Sequence, residues 1–446
     1  MRKYDSYKDS GVEWIGEIPS HWEKSRLCYL GEFTSSGIDK KINQEESLVK
    51  IINFTDIYKN KNHILDNNID YMVVSAPENK IKQNLVKKGD LIFLPSSETY
   101  EDLGLSALVN EELENTSFSY HVINFRISPD MNHEFKKYLT NNNFVLNQFA
   151  REGQGTTRKI IGRNVFRNIK VAIPPIEEQT AIANYLDQKT TQVDDLIAKK
   201  ERLIQLLEEE RTAIINQAVT KGIFPNVPMK DSGIEWLGEI PAHWELWKIS
   251  HAFKRIGSGT TPESGNPLYH ENGTINWLNT GDLNDGEVVS CNKKITEQAM
   301  IDYTSLKLFP AGSLVMAMYG ATIGKTGIIK FDTTTNQACC VFCEGDIIDL
   351  KFLQYWFLAK KENIINLAIG GGQPNISQNI LKDIRVSCPS LSEQFSIVQY
   401  LEIRTKELDL IVAKAYQEIE LLKEYKTALI SDVVTGKVDV RNEKLN

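Results

Sequence analysis

The chain contains the same short motif twice. Residues 9–23 read DSGVEWIGEIPSHWE and residues 231–245 read DSGIEWLGEIPAHWE, so twelve of fifteen positions are identical. A second repeat relates the segment that starts at Val171 to the one that starts at Val386, and the two copies end in TAIINQAVTKG and TALISDVVTGK. A chain written as two copies of one plan can fold into two similar halves with internal pseudo-two-fold symmetry.

The stretches between the repeats are similar in length but share little sequence. Residues 24–170 and 246–385 have few anchors in common, among them Asn53-Phe-Thr-Asp56 and Asn279-Thr-Gly-Asp282. The repeated motifs are thus retained in both halves while the stretches between them differ. Such a chain presents two different surfaces in equivalent positions. The predicted organisation is a first domain, a first spacer helix, a second domain, and a second spacer helix with a C-terminal tail: residues 1–170, 171–222, 223–385 and 386–446.

Two segments predict long helices. Residues 177–220 and 392–435 contain no Pro or Gly and are rich in Glu, Lys, Leu and Ile, and Gly222 and Gly436 follow just past their ends. Residues 190–220 alone would measure about 46 Å at ~1.5 Å per residue. That length suits a spacer that holds two domains apart over on the order of 14 base pairs of DNA. An amphipathic helix covering its own domain is the simpler alternative.

A heptad frame suggests how these helices pack. Its a positions are Val193, Lys200, Leu207, Ile214, Leu408, Ala415, Leu422 and Leu429, and its apolar d positions are Leu196, Leu203, Ile411 and Tyr425. Neighbouring apolar residues widen the stripe: Ile197, Ile204, Ala218, Ile419 and Val433. Helices with such a seam pack on each other, antiparallel if the two halves are related by a two-fold axis.

The variable stretches read as mixed α/β. Apolar runs predict strands at 47–57, 89–94, 119–127, 314–318 and 337–343, and longer periodic segments predict helices at 135–150 and 350–368. The predicted fold is therefore a mixed α+β architecture, with two β-rich domains joined by two long antiparallel helices.

Polar loops separate these elements at equivalent places in both halves: 35–41, 95–104, 153–164, 257–267, 319–327 and 370–379. Gly allows close backbone approach, while Gln, Asn, Arg and Ser/Thr side chains can meet base edges or phosphates. Solvated surface is the alternative reading of any single loop. The candidate DNA-binding residues are Ser36, Lys40, Lys41, Ser97, Tyr100, Gln154, Thr156, Thr157, Arg158, Lys159, Arg163, Ser258, Thr260, Thr261, Tyr319, Thr322, Lys325, Gln373, Asn375, Ser377 and Gln378.

The acidic net charge of −8 does not exclude nucleic acid as a partner. Acidic residues concentrate in the helical segments, whereas residues 151–170 hold six basic residues against one acid. A DNA-binding protein needs local positive charge, so this stretch predicts phosphate anchoring in the first half.

Motifs that resemble catalytic sites do not complete one. Residues 320–326, GATIGKT, have three residues between the glycines where a phosphate-binding P-loop has four, and Tyr319 stands where the earlier glycine belongs. Cys340 and Cys343 form half of a zinc-site spacing without a second pair. His21 and His243 lie beside Trp22 and Trp244 and read as structural. We predict no catalytic and no metal site, and, since no run nears ~20 apolar residues and no signal peptide appears, a cytoplasmic protein.

Several motifs recurring in order resemble one family. They are the duplicated DSGxEWxGEIPxHWE, the PxxEQxxIxxYL segment, the closing Thr-Gly helix ends and the loop Asn375-Ile-Ser-Gln378. With them the chain resembles the DNA-specificity subunits of type I restriction–modification systems. The first half departs from the pattern, because GTTRKIIGRN replaces the Asn-Ile-Ser-Gln type of loop.

The resemblance implies a non-catalytic specificity subunit on double-stranded DNA. Each of two target-recognition domains would read one half of a bipartite, asymmetric site, and inserting one turn into both helices would change the gap but not the half-sites. Implied partners are two methyltransferase subunits and restriction translocase–nuclease subunits, which would carry S-adenosylmethionine, ATP and Mg²⁺. A coiled-coil scaffold without a DNA role, a nuclease or ATPase using Lys325, and a complex that only methylates stay as alternatives.

Overall fold

The computed structural model describes residues 2–12, 15–128, 130–368 and 375–443. The chain divides into two compact units: unit 1 comprises residues 1–200 and 417–446, and unit 2 comprises residues 201–416. No helix in these ranges is long and apolar enough to cross a membrane.

The two long helices are confirmed. They span Ile176–Lys221 and Leu391–Val434, each within two residues of the predicted bounds. In unit 1 their side chains pair in antiparallel order, because Lys426 Nζ lies 2.7 Å from Asp194 Oδ2 and Lys200 forms an ion pair with Glu418. In unit 2 the two helices also contact each other, with Arg211 Nε 3.7 Å from Asp409 Oδ1.

The heptad frame was only half right. Val193, Leu207, Leu408 and Leu429 at the a positions are buried. The four residues assigned to d are exposed instead: Leu196, Leu203, Ile411 and Tyr425. Ile204 and Ile419, each four residues after an a position, are buried in their place. Some of the d positions are occupied by charged residues such as Glu210, and burying the d positions would place these charges in the interface without partners. The buried apolar stripe therefore consists of the a positions and the positions four residues after them.

Unit 1 is built on a five-stranded sheet. Its strands lie in the order Gly31–Thr34, Ile123–Ile127, Asp90–Phe93, Ser106–Val109 and Ile64–Leu65, and every neighbouring pair is antiparallel except the last. A three-stranded sheet has the order Thr116–Phe118, Ser47–Ile52 and Met72–Ala76. Strand pairs join Tyr7–Asp9 to Glu17–Pro19, Glu23–Arg26 to Lys170–Ile173, and Ser96–Ser97 to Lys159–Ile160. The shorter helices are Leu27–Leu30, Phe54–Tyr58, Glu78–Gln83, Phe135–Thr140, Asn143–Glu152 and Arg163–Asn168.

Unit 2 repeats this plan. Its five strands lie in the order Phe253–Gly257, Cys339–Gly345, Leu314–Ala317, Thr326–Ile329 and Gly286–Val288, again antiparallel except for the last pair. The three-stranded sheet has the order Thr334–Thr335, Ile275–Leu278 and Lys294–Ile295. Strand pairs join Met229–Asp231 to Glu239–Pro241 and Glu245–Lys248 to Arg385–Cys388. The helices are Ile249–Ala252, Pro267–His270, Glu297–Asp302, Leu350–Ala359, Lys361–Ile365 and Gln378–Asp383, and 3₁₀ turns span Thr280–Asp282 and Gly320–Thr322.

Short polar residues break several predicted elements. The strand predicted over 47–57 ends at Ile52, because Asn53 turns the chain into the helix Phe54–Tyr58 and donates its backbone N–H to Asp56 Oδ2 at 2.7 Å. The helix predicted over 135–150 divides at Asn142, whose side chain accepts from the N–H groups of Phe144 and Val145. An Asn that satisfies free N–H groups at a helix start competes with continuation of the preceding element.

The repeated motifs form a hydrogen-bonded clamp at the start of each long helix, and each copy combines a buried Trp with an exposed His. In unit 1, Trp22 Nε1 donates to Glu178 at 2.9 Å and His21 Nε2 donates at 2.6 Å. In unit 2 the same roles fall to Trp244 and His243, which donate to Glu393 at 3.1 and 2.9 Å. Both histidines therefore contact the start of a long helix, which agrees with the structural role predicted for them.

The glutamine that follows each glutamate fixes a second element. Gln179 donates from Nε2 to the Pro174 carbonyl and accepts the N–H of Asn132, both at 2.9 Å. Gln394 likewise donates to the Pro389 carbonyl at 2.9 Å and accepts the N–H of Asp349 at 2.7 Å. The Pro-x-x-x-Glu-Gln pattern therefore locks each long helix to the domain that precedes it.

Candidate nucleic-acid interface

Three of the predicted loops of unit 1 meet at one surface. Residues Lys159–Ile160 pair antiparallel with Ser96–Ser97, which joins loop 153–164 to loop 95–104. Lys40, from loop 35–41, lines a cavity of about 270 Å³ together with Ser97 and Arg158. Lys40 and Arg158, which are 118 positions apart in the chain, thus contribute to one site.

Two of the three cations of loop 153–164 are held against aromatic rings. Arg158 donates from Nε to Ser96 Oγ at 3.1 Å, and its guanidinium carbon lies 5.1 Å from the centre of the Phe54 ring. Lys159 Nζ lies 4.7 Å from the centre of the Tyr100 ring and donates to the Gly155 and Thr156 carbonyls. Such contacts orient a cation without neutralising it, so the positive charge stays available to an anion.

The other predicted residues of these loops are mostly exposed. Gln154, Thr156 and Thr157 are exposed, and Gln154 exchanges backbone hydrogen bonds with Ile160. Two further cations are partly engaged within the chain: Lys41 Nζ lies 3.1 Å from Asp39 Oδ2, and Arg163 donates to the Phe33 carbonyl at 2.6 Å.

Ser36 is a correction to the predicted set. Its side chain is 4% exposed and donates to the Phe118 carbonyl while accepting the N–H of Ile38. A hydroxyl used in this way supports the loop and is not presented at the surface. Ser97 is also buried, but it lines the cavity.

Two titratable groups beside the cavity are shifted by their surroundings. Burial, reinforced by the charges of Lys40 and Arg158, lowers the pKa of His121, so its imidazole is neutral at pH 7. Burial raises the pKa of Asp56, opposed by the hydrogen bond from Asn53 and by Lys40. The surface therefore combines fixed cations with a neutral imidazole that both donates and accepts.

The predicted loops of unit 2 also converge. Gln378 Nε2 donates a hydrogen bond to Ser258 Oγ at 3.4 Å, and Tyr319 forms an isolated antiparallel β-bridge with Asn375. These contacts bring loops 257–267, 319–327 and the described part of 370–379 together. Gln373 lies outside the described residues.

The remaining predicted residues of these loops take part in local hydrogen bonds. Thr261 donates to Gln337 Oε1 at 2.6 Å, and the Thr260 carbonyl accepts from the Trp277 indole at 3.1 Å. Ser377 caps the helix Gln378–Asp383 by accepting the N–H of Ile380. These half-buried and exposed groups are neutral donors and acceptors, in contrast to the cations of unit 1.

The Gly-Lys-Thr segment has the wrong geometry for a P-loop. It connects two strands, Leu314–Ala317 and Thr326–Ile329, instead of a strand and a helix. The N–H groups needed to hold a phosphate are already donated within the chain: Gly324 to the Ala317 carbonyl, Lys325 to that of Thr322, and Thr326 to Asp285 Oδ1. Thr322 and Lys325 are half-buried residues of a tight turn, which argues against the nucleotide-binding alternative.

Sequence reasoning missed part of the site. Phe54, Tyr58 and His121 line the cavity of unit 1. In unit 2, Gln337 accepts a hydrogen bond from the hydroxyl of Thr261. The available signal was the shared anchor Asn-x-x-Asp, which marks a turn whose intervening residues differ between the halves.

The comparisons with known proteins agree with this duplicated architecture. The family model of the type I restriction modification DNA specificity domain matches residues 19–208 and 241–421. The chain belongs to the type I restriction–modification DNA specificity family. Both matches include the polar loops of one unit, and this specificity subunit therefore carries two copies of the family's domain.

Individual relatives extend the same result. The type I restriction enzyme MjaVIII specificity subunit of Methanocaldococcus jannaschii is 28% identical over 299 residues, covering 65% of this chain and 67% of the relative. The putative MjaX specificity subunit of the same organism is 24% identical over 96% of both chains.

Solved structures share the fold of this specificity subunit. The HsdS subunit from Thermoanaerobacter tengcongensis matches with a TM-score of 0.58 and 17% identity, over 94% of this chain and 98% of its own. A chain from a study of type I restriction–modification complex assembly matches with a TM-score of 0.67 and 17% identity, over 94% and 99%.

Proposed function

We propose that this specificity subunit directs its complex to a bipartite, asymmetric DNA site, with each unit reading one half. The observation that carries the proposal is the repetition of one strand order in both units with different side chains on the converging loops. Two units with the same backbone fold and different loop side chains would contact two different DNA sequences. Each good bidentate contact adds about 1–3 kcal/mol of discrimination, so two domains reach a specificity that one cannot.

The two units would use different chemistry. Unit 1 offers Arg158, Lys159 and Arg163, which suit phosphates and guanine edges. Unit 2 offers Asn375, Gln378 and Thr261, neutral groups that suit base edges. Salt should therefore weaken the contacts of unit 1 more than those of unit 2.

The long helices would fix the gap between the half-sites. Each helix belongs to both units by its residue numbers, since both spans cross the boundaries at 200–201 and 416–417. Helix length then determines which gap is accepted, while the bases in the gap stay unread.

Exposed apolar residues on the helices would recruit the two methyltransferase subunits: Ile176, Leu196, Leu203, Leu206, Leu391, Phe395, Ile403, Leu410, Ile411, Tyr416, Leu421 and Tyr425. Large apolar side chains in this number on a surface mark interaction sites. The chain itself would be non-catalytic. S-adenosylmethionine, ATP and Mg²⁺ would be bound by the methyltransferase and by a restriction translocase–nuclease, in the cytoplasm where the DNA is accessible.

The decisive experiment maps N6-methyladenine in DNA from cells with and without the gene. We expect methylation to disappear at one interrupted, asymmetric motif. Exchanging residues 24–170 for those of a relative should then change one half-site and leave the other half and the gap unaltered.

An unchanged methylation map, with the partner methyltransferase present, would contradict the proposal and favour the scaffold alternative. The scaffold alternative also requires that the assembled complex show no salt-dependent affinity for DNA, whereas counterion release demands such dependence in a DNA-binding protein.

A further inference from the structure

The cavity of unit 1 has walls unlike those of an ordinary polar loop. Its volume is about 270 Å³, and its lining includes the rings of Phe54, Tyr58 and His121. The Phe54 and Tyr58 rings are nearly parallel, 5.3 Å apart with 25° between their planes. Tyr58 remains 45% exposed, so aromatic surface is open to a ligand.

Polar groups stand around the aromatic walls. Arg158 and Lys40 supply positive charge, and Glu98 supplies a carboxylate. A carboxylate in the lining repels a phosphate but accepts the exocyclic amino group of cytosine or adenine. Flat aromatic walls, one carboxylate and a neutral imidazole suit the face and edge of a nucleobase better than a phosphate.

The equivalent place in unit 2 lacks these rings. The turns after Asn53 and Asn279 correspond, because each Asn donates its backbone N–H to an Asp three residues later, at 2.7 and 2.9 Å. Thr280 therefore stands where unit 1 has Phe54, and Asn284 where it has Tyr58. The matching segment therefore carries two aromatic rings in unit 1, where it forms the helix Phe54–Tyr58, and Thr and Asn side chains in unit 2, where the 3₁₀ turn ends at Asp282.

We propose that this cavity holds one unstacked base of the half-site read by unit 1, a base distinct from the adenine that is methylated. This inference rests on the proposed function, since it requires unit 1 to face DNA. Bases taken out of a duplex are held by stacking on aromatic side chains and by hydrogen bonds to their edges, and both kinds of group are present here. Unit 2 would read its half-site with every base left in the stack.

The test uses the whole complex with its methyltransferase subunits and duplexes carrying the motif found by methylation mapping. Purines of the half-site are replaced one at a time by 2-aminopurine, and cytosines by pyrrolocytosine, whose fluorescence rises when the base leaves the stack. We expect a rise of about threefold or more at the methylated adenine and at one further position.

Variants then assign that second signal. Phe54→Leu and Tyr58→Leu should remove most of the rise at the second position and leave the rise at the methylated adenine. Tyr29→Leu, a change of the same kind at an exposed residue outside the cavity, should alter neither signal. If Phe54→Leu fails to fold, the more exposed Tyr58 gives the same test.

A mismatch at the second position should strengthen binding by about tenfold, because an unpaired base is easier to extrude. Tyr58→Leu should lose that gain. Sequence-specific methylation with fluorescence rising at the methylated adenine alone would overturn the cavity proposal and leave the proposed function standing. Absence of sequence-specific binding or methylation would overturn both.

Discussion

The indole Nε1 of Trp22 donates a 2.9 Å hydrogen bond to the carboxylate of Glu178, 156 residues later in the chain. The same carboxylate accepts from the Tyr4 hydroxyl at 3.2 Å and from His21 at 2.6 Å. A buried group that receives three donors has to be an acceptor at both of its oxygens, which explains why the position next to Gln179 is a glutamate.

Glu178→Gln should destabilise unit 1 by about 1–3 kcal/mol, because the amide would present a donor to groups that are themselves donors. Glu177→Gln removes the same charge at the neighbouring exposed residue and should cost less than about 0.5 kcal/mol. Chemical denaturation of the two variants and the wild type measures the difference. Equal losses of unfolding free energy in the two variants would show that the negative charge at the helix start contributes to stability and that the hydrogen bonds of Glu178 do not.

Gly436 should not tolerate a side chain. Its φ is +75°, and an added Cβ would lie 2.3 Å from Pro19 Cδ and 3.2 Å from the Trp22 ring. Gly16 has nearly the same φ, +70°, with open space around it. Gly16→Ala should therefore cost about 1–2 kcal/mol of backbone strain, and Gly436→Ala clearly more. Similar unfolding midpoints for the two variants would contradict the packing argument.

The two long helices and the repeated motifs at their starts were largely predictable from the sequence. The duplicated motifs, the absence of Pro and Gly over 177–220 and 392–435, and the terminal glycines define helices that the structure confirms. The hydrogen bonds that make the motif necessary were not predictable, because Trp22 and Glu178 are brought together by the fold and no local pattern links them.

His63 should make unit 1 less stable in acid. Burial, with smaller contributions from Lys426 and Lys137, lowers its pKa from 6.5 to about 4, and its Nδ1 is buried. Between these values the unfolded chain binds the proton and the folded chain does not, so this contribution to stability is complete above pH 6.5 and is lost as the pH falls towards 4. The loss reaches about 2–3 kcal/mol near pH 4.5.

His63→Asn should reduce that acid sensitivity, since Asn tolerates the left-handed backbone at φ 54°. The measurement is the change in unfolding free energy between pH 7 and 4.5. His251→Asn, at an exposed histidine, is the control. The same pH dependence in wild type and His63→Asn would refute the assignment.

Arg158→Gln should weaken DNA binding by the complex about tenfold near physiological salt. If the guanidinium contacts a phosphate, the slope of log affinity against log salt should also fall by about 0.9. Lys82→Gln removes a charge from an exposed pair with Glu78 outside the three loops and should change neither quantity. Binding titrations at several salt concentrations decide, and an unchanged affinity for Arg158→Gln would remove this residue from the interface.

Phe395→Asp should weaken assembly with the methyltransferase by about tenfold or more, because a charge would replace an apolar side chain that is 65% exposed on the second long helix. Phe224→Asp makes the same change at a residue that is 58% exposed beyond the end of the first helix. Analytical gel filtration of each mixture gives the comparison. Equal assembly by both variants would place the partner elsewhere.

The candidate interface was predicted in outline but not in its chemistry. The loops containing Lys40, Ser97 and Arg158 do converge, as their polar composition suggested. Phe54 and Tyr58 were missed because the apolar run beginning at residue 47 reads as one strand, and the turn that brings both rings to the cavity depends on Asn53 and Asp56. Ser36 was misjudged because composition does not reveal which hydroxyls are used internally.

The division of the chain between the units has a consequence for its biosynthesis. Unit 2 is one uninterrupted stretch, residues 201–416, whereas unit 1 needs residues 417–446, whose Leu429 and Val433 belong to the same core as Trp22. A ribosome makes the chain from its N-terminus, so the domain begun first is completed last. A chain truncated before residue 417 would therefore contain all of unit 2 and an incomplete unit 1.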